Sequence, residues 1–108
     1  MARCGPTARR ARLAPEAAPP DSPAAIAAVE RALAAIGDAP HGERHATTYR
    51  EACRVFRITD ADQIEQALVA AAHRASEPRE WRDRTQAVRD ARAFIRSRRG
   101  TATATRER

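Results

Sequence analysis

Apart from Met1 and Leu13, every large apolar residue of this chain falls between Ile26 and Ile95, where such residues recur at steps of three and four. That spacing lines up one face of an α-helix, so the only core this sequence can bury is one made by amphipathic helices packed together. The predicted fold is therefore all-α. It is a small bundle of four helices over residues 22–99, between a disordered basic tail, 1–21, and a disordered polar tail, 100–108. A length of 108 residues leaves room for one domain with one small core of marginal stability.

Start and stop signals divide the helical region. Ser22-Pro23 supplies an N-cap and a first-turn proline, and Gly37 is the expected stop, with Ile26, Val29, Leu33 and Ile36 as the inner seam. After the loop Asp38-Ala39-Pro40-His41-Gly42, a helix over Glu43 to Arg57 places His45, Tyr49, Ala52 and Phe56 inward and Arg50, Arg54 and Arg57 outward. Thr59-Asp60-Ala61-Asp62 resembles a capping box and opens a third helix to about Ala75. Ile64, Leu68, Ala71 and Ala72 face inward there, while Asp60, Asp62 and Glu65 serve its N-terminus and solubility. Ser76, Pro78 and the carboxylates of Glu77 and Glu80 start the fourth, which buries Ala87, Val88, Ala91, Phe94 and Ile95 and stops at Gly100.

The formal charge of +6 rests on twenty arginines and no lysine. Arg82, Arg89, Arg92, Arg96 and Arg99 form a stripe along the edge of the fourth helix, where guanidinium forks in water can hold phosphate oxygens bidentately. Arg44 stands in a first turn, where a cation opposes the helix dipole by roughly 0.3 to 1 kcal/mol unless an anion is near. A phosphate answers that requirement, and so does a carboxylate such as Asp38. The candidate nucleic-acid contacts are thus Arg44, Arg50, Arg54, Arg57, Arg82, Arg89, Arg92, Arg96 and Arg99, with DNA ahead of RNA as the polyanion. A purely solvated arginine face stays open as the plainer reading.

Other chemistry finds no support in the residues. The serines, Ser22, Ser76 and Ser97, do not assemble a nucleophile with its base, so no catalytic residues are assigned. No cofactor is implied, and without lysine or a glycine-rich loop a P-loop is excluded. His41, His45 and Cys53 lack a fourth ligand, so no metal is assigned, and Cys4 and Cys53 suggest no disulfide framework. Trp81, Tyr49 and Phe56 are assigned to the core rather than to stacking on bases. Arg9-Arg10 is followed by prolines and acids rather than an apolar run, and no apolar stretch approaches about 18 residues, so a cytoplasmic protein is expected.

Gly42-Glu43-Arg44-His45 leading into Tyr49, Ala52 and Cys53, the acid-started helix from Asp60 to Ala72, and Ile95-Arg96-Ser97 ahead of Gly100 together resemble a known pattern. It is that of the small helical C-terminal module of phage and plasmid primases, including primase-polymerases of actinobacterial mobile elements. His45 replaces the usual asparagine and Tyr49 a leucine. The polymerase domain and its acidic metal-binding motifs have no counterpart. The resemblance implies a non-catalytic accessory module in replication of a mobile element, contacting DNA phosphates and a replication protein. The alternative is a protein-interaction module that pairs with itself or another helical protein through the seam of Ile26, Val29, Leu33 and Ile36.

Overall fold

The computed structural model describes the backbone of residues 17–107 and the side chains of residues 17–100. It is an all-α bundle of four helices: α1 (Pro23–Asp38), α2 (Arg44–Ile58), α3 (Asp62–Arg74) and α4 (Trp81–Glu107). Short 3₁₀ turns, His41–Glu43 and Pro78–Glu80, lead into α2 and α4. Ser22 caps α1 as expected, its side chain accepting from the Ala25 N–H at 3.3 Å. The helix ends one residue beyond Gly37, which has no positive φ. It stops because Ala39 precedes Pro40, and the proline ring disfavours helical geometry in the residue before it.

The starts of α3 and α4 differ from expectation. α3 is capped by the extended backbone of Ala61 without a side-chain hydrogen bond, because Asp60 is drawn to α4 and Thr59 donates to the carbonyl of Ala18 at 2.8 Å. Ahead of α4 the cap is Glu77, in a reciprocal box with Glu80, while Ser76 accepts from Arg84 Nε. Gly100 does not stop α4, since without a left-handed φ it continues the helix, and the backbone runs on to Glu107. The basic tail expected over 1–21 is tied down near its end, where the Ala18 N–H donates to Ile58 O at 2.7 Å. The rest of that expectation, 1–16, lies outside the described residues.

Contacts fix the helix directions. Ala18 before α1 pairs with Thr59 after α2, so these two run antiparallel. Asp60 meets Arg92 and Arg96 while His73 meets Thr85, so α3 and α4 are antiparallel too. His45 bonds Asp83 and Phe56 lies under Arg92, which makes α2 and α4 parallel neighbours. The helices follow one another round the bundle in the order α1, α2, α4, α3, with the most extensive packing between α2 and α4.

Phe56, Ile36, Leu68, Ile95, Val55 and Val88 fill the core, interleaved with Ala28, Ala32, Ala52, Ala72 and Ala91. The inner face of α3 is the one its spacing predicts, but α1 and α4 are rotated. α1 buries Ala25, Ala28, Ala32 and Ile36, leaving Ile26 46% exposed and Val29 and Leu33 half-buried against the core. Alanine lets its two neighbours approach closely, and the buried arc settles between them rather than under the largest side chains. On α4, Ala87, Val88, Ala91 and Ile95 are buried as expected, but Phe94 is 44% exposed, because the buried arc extends toward Arg92 and Arg99 instead. On α2, His45 is exposed and Tyr49 half-buried, while Thr47, Thr48 and Glu51 go inside.

Phe56→Ala should therefore lower the unfolding free energy by about 3 to 5 kcal/mol, through the cavity it opens. Phe94→Ala should cost about 0.5 kcal/mol or less, as a surface change. Urea titrations of both variants followed by helical circular dichroism check the face assignment. Equal losses would contradict it.

Candidate functional site

The antiparallel pairing of α3 with α4 carries the acidic start of one helix onto the arginine stripe of the other. Asp60 Oδ1 accepts from Arg92 Nε at 2.7 Å, and its Oδ2 from Arg96 Nε at 2.8 Å. Arg92 Nη1 also donates to Asp62 at 3.0 Å and to Glu65 at 2.8 Å, with its guanidinium 5.7 Å from the centre of the Phe56 ring. Burial alone would raise the Asp60 carboxyl, but the hydrogen bonds and charges of Arg96 and Arg92 hold it below the usual aspartate range. Burial likewise works against the Arg92 cation, and the bonds to Glu65, Asp60 and Asp62 more than offset it, so its pKa is raised.

This arrangement revises the sequence-predicted contacts. Arg92 and Arg99, expected in water, are buried. Arg92 is occupied by three carboxylates, and Arg99 donates to the carbonyls of Phe56 and Arg57 at 2.7 and 2.6 Å, closing the C-terminal end of α2. Arg96 and Arg89 remain solvent-facing but are paired with Asp60 and Glu65. Arg44 donates to His41 Nδ1 at 3.3 Å instead of meeting Asp38, and its Nε is buried with no hydrogen-bond partner. Asp60, Asp62 and Glu65 thus do more than serve the start of α3.

The outer face of α2 keeps the predicted cations in water. Arg50 and Arg54 lean on the buried carboxylate of Glu51 and stay more than half exposed, and Arg57 has no ion pair among the described residues. Arg82, at the far end of α4, is exposed as well. Two residues join this surface on the neighbouring α4: Phe94, which the spacing assigns to the core, and Arg98, which it leaves unassigned. Phe94 is exposed, and the Arg98 guanidinium lies 5.6 Å from its ring centre. An aromatic and an arginine four apart on a helix are the signal for that pair.

The aromatic and nucleophilic side chains sort differently from expectation. Phe56 is fully buried, but Trp81 is 41% exposed, stacked on His73 with ring centres 5.0 Å apart and donating to the His73 carbonyl at 3.1 Å. It covers the end of α3 rather than filling the core. Burial pushes the Cys53 thiol up, against a hydrogen bond with Tyr49 and the charge of Arg57, which keeps it in the unreactive thiol form. His45 is taken by Asp83 at 2.7 Å, and among the described residues no group of His, Cys, Asp and Glu is placed to hold a metal ion. No described helix is long and apolar enough to cross a membrane. No family model matches this chain, and the searches of curated proteins and of solved structures found no match to it.

Asp60→Asn should destabilise the fold by about 2 to 3 kcal/mol near neutral pH, because it weakens the acceptor shared by Arg92 and Arg96. A depressed folded-state pKa contributes stability above the unfolded value, near about 4, that is lost as pH falls through the folded value. The gap between wild type and variant should therefore be full at pH 7 and narrow below about pH 4. Urea unfolding across that range measures it, and a gap independent of pH would contradict the assignment.

Proposed function

We propose that this chain is a nucleic-acid-binding helical accessory module, of the kind resembling the C-terminal module of mobile-element primases, and that it acts without catalysis of its own. It holds phosphates through Arg50, Arg54 and Arg57 on α2 and Arg98 on α4. The observation that carries this reading is the pair Arg57 and Arg98. Both lack a carboxylate partner among the described residues, and they stand where the parallel α2 and α4 bring their C-terminal halves together. The Arg89–Arg96 stripe belongs to the scaffold instead, since its charges are already answered by Asp60, Asp62 and Glu65. No side chain is aimed as a reader of base edges, so the binding is of low sequence preference.

The rival, helix pairing through the α1 seam, has less surface to use. Ile36 is buried, Val29 and Leu33 pack against the core, and only Ile26 of the four is exposed.

Neutralising about four duplex phosphates should give a log-affinity slope of about −3 to −4 against log salt. Changing Arg54, Arg57 and Arg98 together to glutamine should flatten that slope by about two to three units with helicity intact. Arg89→Gln should change it by about one unit or less. Fluorescence anisotropy of labelled duplex and single-stranded DNA measures all three. Absence of wild-type binding to either at about 50 mM salt would overturn the proposal, and a stable oligomer in light scattering would favour the rival.

A further inference from the structure

The edge between α2 and α4 changes character along its length. Asp83, Ala87, Asp90, Phe94 and Arg98 follow one another at helical steps on α4, and His45, Tyr49, Cys53 and Arg57 do so on α2. The contacts of His45 with Asp83 and of Arg99 with the Arg57 carbonyl fix the register between the two helices. That register sets the acidic residues beside the first half of α2, and Phe94 and Arg98 beside its last turns. An exposed phenyl ring therefore stands at the cationic end of the edge, under the Arg98 guanidinium, with Arg57 on the last turn of α2 in this register.

This combination suits one class of ligand better than others. An apolar protein surface docking on Phe94 would have to strip water from the guanidiniums of Arg57 and Arg98 without offering an anion in return. A nucleotide carries a π-face and a phosphate a few bonds apart, so it satisfies the ring and the cations together. In a duplex the base faces are stacked on each other and out of reach, whereas an unpaired strand presents them. Asp90, which has no ion pair among the described residues, disfavours a phosphate backbone along the other half of the edge, where Asp83 is already held by Arg84 and His45.

We propose that Phe94 and Arg98 form a stacking platform for an unpaired base of single-stranded nucleic acid, with Arg57 taking an adjacent phosphate. The base extends the stack that the ring and the guanidinium already make. This rests on the phosphate-binding reading above and adds to it a preference for single strands over duplex.

The test is anisotropy of labelled oligo-dT and of a hairpin duplex with the full chain, for wild type, Phe94→Ala and Phe94→Trp, with circular dichroism to verify the fold. Phe94→Ala should weaken oligo-dT binding about five- to tenfold and duplex binding about twofold or less. Phe94→Trp should retain oligo-dT binding and show added fluorescence that the oligonucleotide quenches. Equal effects of Phe94→Ala on both ligands, or none on either while wild type binds, would overturn the platform and leave the phosphate reading standing. Failure of wild type to bind any strand would overturn both. Self-association lost in Phe94→Ala, with oligo-dT affinity unchanged, would make the ring a protein contact and overturn the platform.

Discussion

The junction between α2 and α3 is held by arginines of α4, and the rest of the bundle depends on that tie. Arg92 and Arg96 converge on Asp60, while Arg99 closes the last carbonyls of α2 at Phe56 and Arg57. The same junction fastens the chain ahead of α1, through Thr59 and Ile58 to Ala18. A helix C-terminus presents unsatisfied carbonyls and partial negative charge, and a helix start gathers carboxylates, so a junction between two helices is a concentrated acceptor for cations. The core around Phe56 is small and rich in alanine, which makes such polar ties a large share of what defines the packing.

The tie also redistributes the charge available to a partner. Twenty arginines suggest a polyanion-binding surface wherever they line up, yet those facing the acidic start of α3 are spent on the fold. Buried guanidiniums such as Arg92 stay ionised because carboxylates surround them, and they carry little field into solvent. The outer face of α2 has no acidic helix packed over it. Its cations, with Arg98 from the end of α4, therefore form the part of the surface where a phosphate backbone meets positive charge with the least competition.

Helix-scale features were legible in the residues because they rest on local chemistry. Ser22 with Pro23, the acids at the start of α3 and the inner line of Ile64, Leu68, Ala71 and Ala72 depend only on neighbours within a turn. The depth and rotation of each face depend on what packs against it. Phe94 and Ile26 read as core by spacing, but the arcs that meet the neighbouring helices run through Ala25, Ala28, Ala32 and Ile36 on α1 and through Val88, Ala91, Arg92, Ile95 and Arg99 on α4, which leaves those two side chains facing water. Thr47, Thr48 and Glu51 are polar yet buried, because the α2 arc that meets its neighbours passes through them.

By itself, the sequence determined that this chain is a four-helix bundle, since the spacing of its few large apolar residues permits no other element to bury a core. It also determined that the surface would be arginine-rich. Only the tertiary structure decided which arginines face a partner and which face the protein. Asp60 and Arg92 are 32 residues apart and share no local pattern. Their pairing follows from α3 folding back on α4, a choice made by the whole packing arrangement rather than by any stretch of chain.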